Sequence, residues 1–307
     1  MDKQIKNVLI CGLGAIGSIY ATKIKDNNVA TLKILVDKNR LQKYKSTPLM
    51  FNGKSYEFDY ITPNSIDYKA DLIIIATKNN TLNEVITHIK NFVSDNTLII
   101  SLLNGLKSEE IIAKEFGAEK IIDSYYIGHT STRKNREITH DGVYKTVFGE
   151  KDNNILSNRT KKLKDFFENN KIPYEIPIDM NYSKWWKFLV NIGYNQASVV
   201  FNATYNDFQK NEEINLFAIQ LMKEVELIAK AEGVKNTEKF IPEILEVIKG
   251  MRPETKTSML QDVEAKRKTE IDSFAGYVIE LANKHNLDTP YNKIVYKIIK
   301  AIDSKIK

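Results

Sequence analysis

Short apolar segments alternate with longer amphipathic ones over the first part of the chain. The apolar segments are rich in Ile, Leu and Val, which predicts buried strands. They lie at 7–12, 31–36, 71–76 and 97–103. Helical patterns separate them at 15–26, 80–92 and 108–116. Because strands alternate with helices, the pattern predicts a parallel sheet with right-handed crossovers.

Two features of the same region depart from this alternation. After the second predicted strand, Asn52-Gly53 predicts a tight β-hairpin. The β-like runs of 120–149 contain Asp141-Gly142, which predicts a second hairpin. A helix at 158–169 and an extended segment at 173–177 follow.

The pattern becomes helical after this point, because apolar positions recur at helical spacing and Gly or Pro stands at several joints. The predicted helices span 181–202, 212–232, 237–249, 258–267, 270–286 and 290–305. The boundary between the two patterns lies near 177–181. We therefore predict an α/β domain at 1–179 and an all-helical domain at 180–307.

Composition and charge narrow the classes of protein that fit this pattern. The chain has 307 residues, an apolar share of 42% and one cysteine, Cys11, so no intramolecular disulfide can form. The net charge of +6 comes from lysines interleaved with acids, which indicates a solvated surface and no nucleic-acid partner. We expect no metal site, because the histidines are widely spaced, and no membrane span. No secretory signal is visible, so we expect a cytoplasmic protein.

The first predicted strand runs directly into Gly-x-Gly-x-x-Gly, and a helix follows. In this order the glycines allow a sharp turn, a close approach of pyrophosphate to the backbone and tight packing of the helix on the strand. The free N–H groups at the helix N-terminus favour a phosphate. Asp37, about 20 residues further on, stands where the ribose of NAD would be held. We therefore predict a Rossmann domain whose dinucleotide site includes Gly12, Leu13, Gly14, Ala15, Ile16 and Gly17.

A polar stripe marks the first helix of the C-terminal half. Lys187, Asn191 and Asn195 recur every four residues on a helix that is otherwise apolar all round. A buried lysine is costly without a partner, so the stripe suggests a site for a polar ligand. Alternatively, the lysine reaches solvent and the two amides bond to backbone in the core.

Other polar residues have less specific patterns. Lys78 and Asn104 directly follow predicted strands, whose C-terminal ends line the ligand site in sheets of this kind. Ser258 and Glu270 stand at the openings of helices, where an acid is also an ordinary feature that favours the helix dipole. Capping boxes are predicted at these two helix starts, Ser258-x-x-Gln261 and Thr269-x-x-Asp272.

Six motifs, in this order, carry a resemblance to a known family. They are the Gly12–Gly17 loop, Thr77-Lys78, Asn104-Gly105, Lys187-x-x-x-Asn191-x-x-x-Asn195, Ser258-Met259-Leu260-Gln261-Asp262 and Thr269-Glu270-Ile271-Asp272. Over nearly its whole length the chain resembles the ketopantoate reductases (2-dehydropantoate 2-reductases). The resemblance implies an enzyme that reduces a 2-oxo acid, ketopantoate, with NADP or NAD as cofactor, on the route to pantothenate and coenzyme A. It also makes a homodimer an expectation.

The resemblance further implies a role for each residue. Lys187 would be the general acid that protonates the ketone oxygen as hydride reaches the carbon. Glu270 would hold the resulting hydroxyl or orient Lys187. Lys78 and Asn104 would lie near the cofactor. The carboxylate and hydroxyl groups of the substrate would be positioned by Asn104, Asn191, Asn195 and Ser258.

The end of the second predicted strand departs from the family pattern. Family members usually place an arginine there, which binds the 2′-phosphate of NADP, whereas this chain has Asp37. A carboxylate repels a phosphate and binds a free 2′-hydroxyl, which favours NAD. Lys38 or Arg40 could still reach a phosphate if Asp37 turns away.

Two further departures concern the substrate pocket. Gln196 stands where relatives commonly have proline, and Tyr205 with Asn206 replaces a downstream asparagine. These changes leave open an NAD-dependent D-2-hydroxyacid dehydrogenase of the same fold that acts on bulkier 2-oxo acids. A non-catalytic dinucleotide-binding sensor is a third hypothesis.

Overall fold

The computed structural model describes residues 4–128 and 132–306. The chain divides into two compact units. The N-terminal unit comprises the residues up to Asn104 together with Ser108–Met180. The C-terminal unit comprises Gly105–Lys107 and the residues from Asn181 onward.

The strands of the described residues are β1 Asn7–Cys11, β2 Thr31–Leu35, β3 Leu49–Phe51, β4 Lys54–Tyr56, β5 Asp59–Ile61, β6 Leu72–Ile75, β7 Leu98–Ser101, β8 Asp123–Gly128, β9 Thr132–Lys134, β10 Glu137–Thr139, β11 Tyr144–Gly149 and β12 Tyr174–Glu175. The helices are α1 Ala15–Asn27, α2 Lys38–Ser46, α3 Leu82–Ile89, α4 Ser108–Phe116, α5 Asn158–Asn169, α6 Met180–Val190, α7 Gln196–Phe201, α8 Tyr205–Lys210, α9 Glu212–Ala231, α10 Phe240–Lys249, α11 Ser258–Glu264, α12 Ala275–Lys284 and α13 Pro290–Ser304. None of these helices is long and apolar enough to cross a membrane.

A five-stranded parallel sheet forms the centre of the N-terminal unit, in the order β5-β2-β1-β6-β7. Ile10 of β1 lies opposite Ile34 on one side and Ile74 on the other, and all three side chains are fully buried. The strand order reverses between β1 and β6, which is the point where doubly wound sheets bind ligands. The predicted Rossmann sheet is confirmed, and β5 is an edge strand that the sequence pattern did not indicate.

The prediction of hairpins succeeds at one site and fails at the other. β3 and β4 pair antiparallel across Asn52-Gly53, as predicted. The hairpin at Asp141-Gly142 is wrong, because β10 joins the sheet of β3 and β9 whereas β11 pairs with β8 and β12. The Asn52 side chain bonds to both backbone groups of His140, which fixes the end of β10 to the β3 turn.

The C-terminal unit is helical, as predicted, with one interruption that the sequence did not indicate. A π-helical turn, Asn191–Asn195, joins α6 to α7 within the predicted helix 181–202. The predicted helix 270–286 is a 3₁₀ turn at Ile271–Ser273 followed by α12. The helices enclose a core whose fully buried aromatic side chains include Phe188, Tyr194, Phe240 and Phe274.

Both predicted capping boxes are wrong. Thr257, not Ser258, caps α11, since its hydroxyl accepts a hydrogen bond from the Leu260 N–H at 3.3 Å. The Thr269 N–H and hydroxyl both bond to the carboxylate of Asp303, at 3.0 and 2.8 Å. At α11 the cap is therefore one residue earlier than predicted. At Thr269 a contact with a distant helix replaces the predicted local cap.

Candidate active site

The glycine loop after β1 leaves no room for side chains at two positions. Gly12 has φ +98°, and a Cβ there would lie 2.6 Å from the Ala76 carbonyl oxygen. A Cβ at Gly17 would lie 1.9 Å from the Gly12 oxygen. The loop therefore closes tightly on β6 and α1, as the motif requires.

The opening of α1 is free to receive an anion. Gly14 is the N-cap residue and supplies no side-chain cap, and the first turn carries no acid. Gly14, Ala15 and Ile16 remain partly exposed, whereas Leu13 is buried. Beside Gly12, the buried Thr77 hydroxyl has no partner among the described residues. Free N–H groups, the helix dipole and bare backbone together fit the pyrophosphate of a dinucleotide.

Asp37 follows β2 and has a structural role that the sequence did not indicate. Its Oδ1 accepts a hydrogen bond from the Arg40 N–H at 2.7 Å and so caps α2. Its Oδ2 lies 3.3 Å from the Arg40 Nε. The end of β2 thus holds an acid and a paired guanidinium, which is the more exposed of the two.

Lys78 and Asn104 lie at the same edge of the sheet as the glycine loop, since they follow β6 and β7. The Asn79 amide donates to the Asn104 carbonyl at 2.9 Å and ties the two loops together. Asp37 and the glycine loop follow β2 and β1, so all predicted cofactor residues stand beyond the carboxyl ends of the parallel strands.

Lys187 lies on α6 among apolar neighbours. Trp185 and Phe188 of the same helix belong to the core, and the Lys187 side chain is itself partly buried. Burial lowers the pKa of Lys187 from 10.5 to about 8. Among the described residues Lys187 forms no ion pair, so Glu270 is not within ion-pair distance of it. The Lys187 ammonium therefore gives up its proton more readily than that of an exposed lysine, although most of it is still charged at neutral pH.

The π-helical turn brings two buried asparagines together one turn after Lys187. The Asn195 Nδ2 donates to the Asn191 Oδ1 at 3.1 Å, and the side chains are only 3% and 7% exposed. Gly193 allows the turn to pack on α9. A Cβ at Gly193 would lie 2.8 Å from the Met222 Cγ and 3.2 Å from the Ala218 oxygen.

The start of α11 joins this pair. The Ser258 hydroxyl and the Met259 N–H both donate to the Asn195 Oδ1, at 3.1 and 3.2 Å. Behind them the Thr257 hydroxyl contacts Ser198, whose hydroxyl donates to the Asn195 carbonyl. The structure therefore brings Asn191, Asn195 and Ser258 into one network, with two hydroxyls that sequence reasoning missed.

Glu270 is partly buried and precedes the 3₁₀ turn at Ile271–Ser273. The neighbouring residue, Thr269, is held by Asp303 near the end of α13. The segment that carries Glu270 is therefore held by a residue of α13 that lies 34 positions after Thr269.

Gln196 is a core residue and does not belong to the asparagine network. Its amide donates to the Ile192 carbonyl and to Asn292, and its oxygen accepts from the Ala275 N–H at 3.0 Å. The backbone N–H groups of Tyr205 and Asn206 hold the loop before α11 through the carbonyls of residues 255 and 253. A metal-binding group of three or more His, Cys, Asp or Glu is absent from residues 4–128 and 132–306.

Two family models match the chain. The model described as Ketopantoate reductase PanE/ApbA covers residues 8–153, and the model of its C-terminal domain covers residues 179–303. The chain belongs to this family. It is therefore an oxidoreductase that acts on the CH–OH group of a hydroxy acid and uses NAD(P)H.

Individual relatives match this chain over nearly its full length, at low sequence identity. A 2-dehydropantoate 2-reductase of Pyrococcus horikoshii is 28% identical over 306 residues, which cover 97% of each chain. The uncharacterized oxidoreductase YkpB of Bacillus subtilis is 26% identical over 295 residues, 94% of this chain and 96% of the relative.

Solved structures show the same fold. A dimeric ketopantoate reductase from Staphylococcus aureus has a TM-score of 0.80 at 23% identity, over 98% of this chain and 99% of that one. D-mandelate dehydrogenase with NADH and anilino(oxo)acetate has a TM-score of 0.85 at 21% identity, over 97% and 99%.

The close packing at Gly193 leads to a stability prediction. Gly193→Ala should lower the free energy of unfolding by about 1–3 kcal/mol, because the new methyl group overpacks against Met222 and a backbone oxygen. Denaturant unfolding measures this. Gly250→Ala is the matched control, since its Cβ would make only an ordinary 3.6 Å contact. Equal stability of the two variants would contradict the prediction.

Proposed function

We propose that this protein is a 2-dehydropantoate 2-reductase that reduces ketopantoate to pantoate. The observation that carries the proposal is Lys187, a partly buried lysine with no ion-pair partner in the described residues and a pKa of about 8, one turn from a buried amide network. Family membership supplies the reaction class.

Lys187 acts as the proton donor. NAD(P)H supplies a hydride to the 2-oxo carbon when it is bound. Negative charge then develops on the ketone oxygen, and the Lys187 ammonium both stabilises that charge and transfers a proton to it. The product is a 2-hydroxy acid, and Lys187 recovers its proton from solvent.

The remaining residues bind and orient. We propose that residues 1–179 hold the dinucleotide and residues 180–307 hold the substrate. The Gly12–Gly17 loop would bind pyrophosphate, Lys78 would lie near the cofactor, and Asp37 would hold the ribose. Substrate oxygens would be bound by Asn104, Asn191, Asn195 and Ser258, and Glu270 would hold the new hydroxyl.

A D-2-hydroxyacid dehydrogenase that uses NADH is the second candidate. Asp37 at the end of β2 favours it, and two structures of D-mandelate dehydrogenase with NADH share the fold, at TM-scores of 0.85 and 0.86. A non-catalytic sensor is disfavoured, because such a protein needs no lysine with a lowered pKa.

The first test is turnover. We expect the purified protein to reduce ketopantoate faster than 2-oxoisocaproate, and Lys187→Met to lose about 10²–10⁴-fold in kcat, because the proton donor is gone. The exposed Lys223→Met on α9 is the control. Faster reduction of 2-oxoisocaproate would favour the second candidate. Near-normal turnover of Lys187→Met would refute the proposed role of Lys187 as proton donor.

The pH profile provides an independent measurement of the same residue. Reduction needs the ammonium, so kcat/KM should be level below pH 8 and fall above it. Oxidation needs the free amine and should rise towards pH 8. Lys187→Arg should remove the change in kcat/KM near pH 8, because arginine stays charged at every accessible pH.

Coenzyme preference tests Asp37. We expect kcat/KM for NADH to equal or exceed that for NADPH, because the carboxylate repels a 2′-phosphate. Asp37→Asn keeps the cap on α2 and removes the charge, so it should shift the NADPH/NADH ratio towards NADPH by about tenfold or more. A strong preference of the wild-type protein for NADPH would refute this.

We also infer a homodimer, as described for the Staphylococcus aureus relative. Tyr291, Ile294 and Ile298 form an exposed apolar stripe along α13, with 40%, 57% and 38% exposure. Ile294→Lys should convert a dimer to a monomer in light scattering coupled to size exclusion. Ile155→Lys, at an 86% exposed position of the N-terminal unit, is the control. A wild-type monomer would contradict the inference.

A further inference from the structure

An open cavity of about 440 Å³ lies within the C-terminal unit. It is formed by the loop after β7, the first turns of α6, the end of α9 and one face of α12. The lining residues are Leu106, Asn181, Lys184, Trp185, Glu232, Tyr277 and Leu281. None of the residues proposed to bind cofactor or substrate is among them. The volume is that of a site for a small molecule.

The apolar wall of this cavity is held in place by edge-to-face aromatic contacts. The ring centroids of Trp185 and Phe188 lie 6.0 Å apart, and those of Phe188 and Tyr277 lie 6.3 Å apart. Trp185, Tyr277 and Leu281 are buried, and Leu106 packs against the same core. Such a wall binds an apolar group at little entropic cost, because its side chains are already ordered.

Two opposite charges line the cavity without pairing to each other. The Glu232 carboxylate pairs instead with the Lys284 Nζ at 2.7 Å and the His285 Nε2 at 2.5 Å. Both contacts are to Oε1, so Oε2 has no hydrogen-bond partner within the described parts of the chain. Lys184 is partly buried on α6. The cavity therefore offers a carboxylate oxygen as acceptor and an ammonium as donor.

Asn181 adds an amide beside Lys184. The two residues are three positions apart on α6 and so lie on one face of the helix. The Asn181 side chain has no hydrogen-bond partner among residues 4–128 and 132–306. An amide N–H and an ammonium at this spacing suit the two oxygens of a carboxylate.

The Tyr277 ring already has a cation. The Lys107 Nζ lies 5.2 Å from its centroid and 2.5 Å from the Glu280 carboxylate. A positively charged ligand group would therefore bind at Glu232 and not on the face of this ring.

We propose that the cavity is a second ligand site, which binds an apolar α-amino acid. Lys184 and Asn181 bind its carboxylate, and Glu232 accepts a hydrogen bond from its ammonium. Its side chain packs on Trp185 and Tyr277. A ligand with one of the two charges would meet only one end of the cavity. The site does not depend on the proposed function.

Three related compounds separate the two charges. L-leucine carries both, 4-methylpentanoate lacks the ammonium, and 3-methylbutylamine lacks the carboxylate. We expect L-leucine to bind with a Kd of about 1 mM or below, and about tenfold or more tighter than either analogue, because each analogue loses a charge-assisted hydrogen bond. Equal binding of L-leucine and either analogue would overturn the proposal, as would no binding of L-leucine at roughly 10 mM.

The measurement is an NMR titration of the full-length protein, which needs no turnover. The chain has two tryptophans, Trp185 and Trp186, so two indole N–H signals are expected. The signal that remains in Trp186→Phe belongs to Trp185, in the wall of the cavity. Its shift with ligand concentration gives Kd for each compound.

Two variants test where the compounds bind. Lys184→Met should weaken L-leucine and 4-methylpentanoate about tenfold and leave 3-methylbutylamine unchanged. Glu232→Gln should weaken L-leucine and 3-methylbutylamine and leave 4-methylpentanoate unchanged. Lys223→Met and Glu246→Gln, at exposed positions, are the matched controls and should bind as the wild type does. A variant that weakens all three compounds equally would overturn the role given to its residue.

Competition separates the cavity from the proposed active site. Saturating ketopantoate should leave the Kd of L-leucine unchanged, because the cavity contains none of the proposed substrate-binding residues. Displacement of L-leucine by ketopantoate would place it in the active site and refute a second site.

Discussion

The proposed chemistry depends on one interaction that Lys187 lacks: its partly buried ammonium has no carboxylate partner among residues 4–128 and 132–306. The lowering of its pKa from 10.5 to about 8 corresponds to roughly 3 kcal/mol. Below pH 8 the folded state bears this cost, since the group is then charged in both the folded and the unfolded chain. The apolar core around α6 offsets it. An oxygen that gains negative charge beside the ammonium recovers part of this energy, which is why the group suits the reduction of a ketone.

Close backbone packing shapes both halves of the proposed machinery. Gly17 lets α1 approach the loop of Gly12, and Gly193 lets the π-helical turn approach α9. In the first case the result is an exposed row of N–H groups, which suits a phosphate. In the second case it is a buried pair of hydrogen-bonded amides, Asn191 and Asn195. The absence of a side chain at these two glycines thus shapes both the predicted phosphate loop and the amide pair.

The sequence pattern predicts features that depend on local composition and misses those that depend on distant contacts. The β1 strand and the Gly12–Gly17 loop follow from a short apolar run and glycine spacing, and both are confirmed. The π-helical turn is invisible, because its period differs from an α-helix by less than one residue per turn. The hairpin at Asp141-Gly142 fails because Asn52 binds β10 from another part of the chain.

The same contrast between local sequence pattern and distant contacts applies to the candidate site. The spacing of Lys187, Asn191 and Asn195 indicates one face of a helix, and the structure places the two amides in contact there. The hydrogen-bond donors that orient the Asn195 amide come from Ser258 and Met259 at the start of α11. The spacing of residues along α6 gives no information about that contact. Spacing therefore finds the residues, and only the tertiary structure shows which atom of each amide is available.

The attachment of Thr269 to Asp303 has a consequence for how variants of this protein are interpreted. The bonds tie the segment that carries Glu270 to the far end of α13, a helix whose Val295 and Ile299 are fully buried in the core. A change in α13 therefore acts both on the core and on the position of Glu270. A screen that scores only activity would not separate these two effects. Substitutions in α13 accordingly need a measurement of stability beside one of turnover before either effect is assigned.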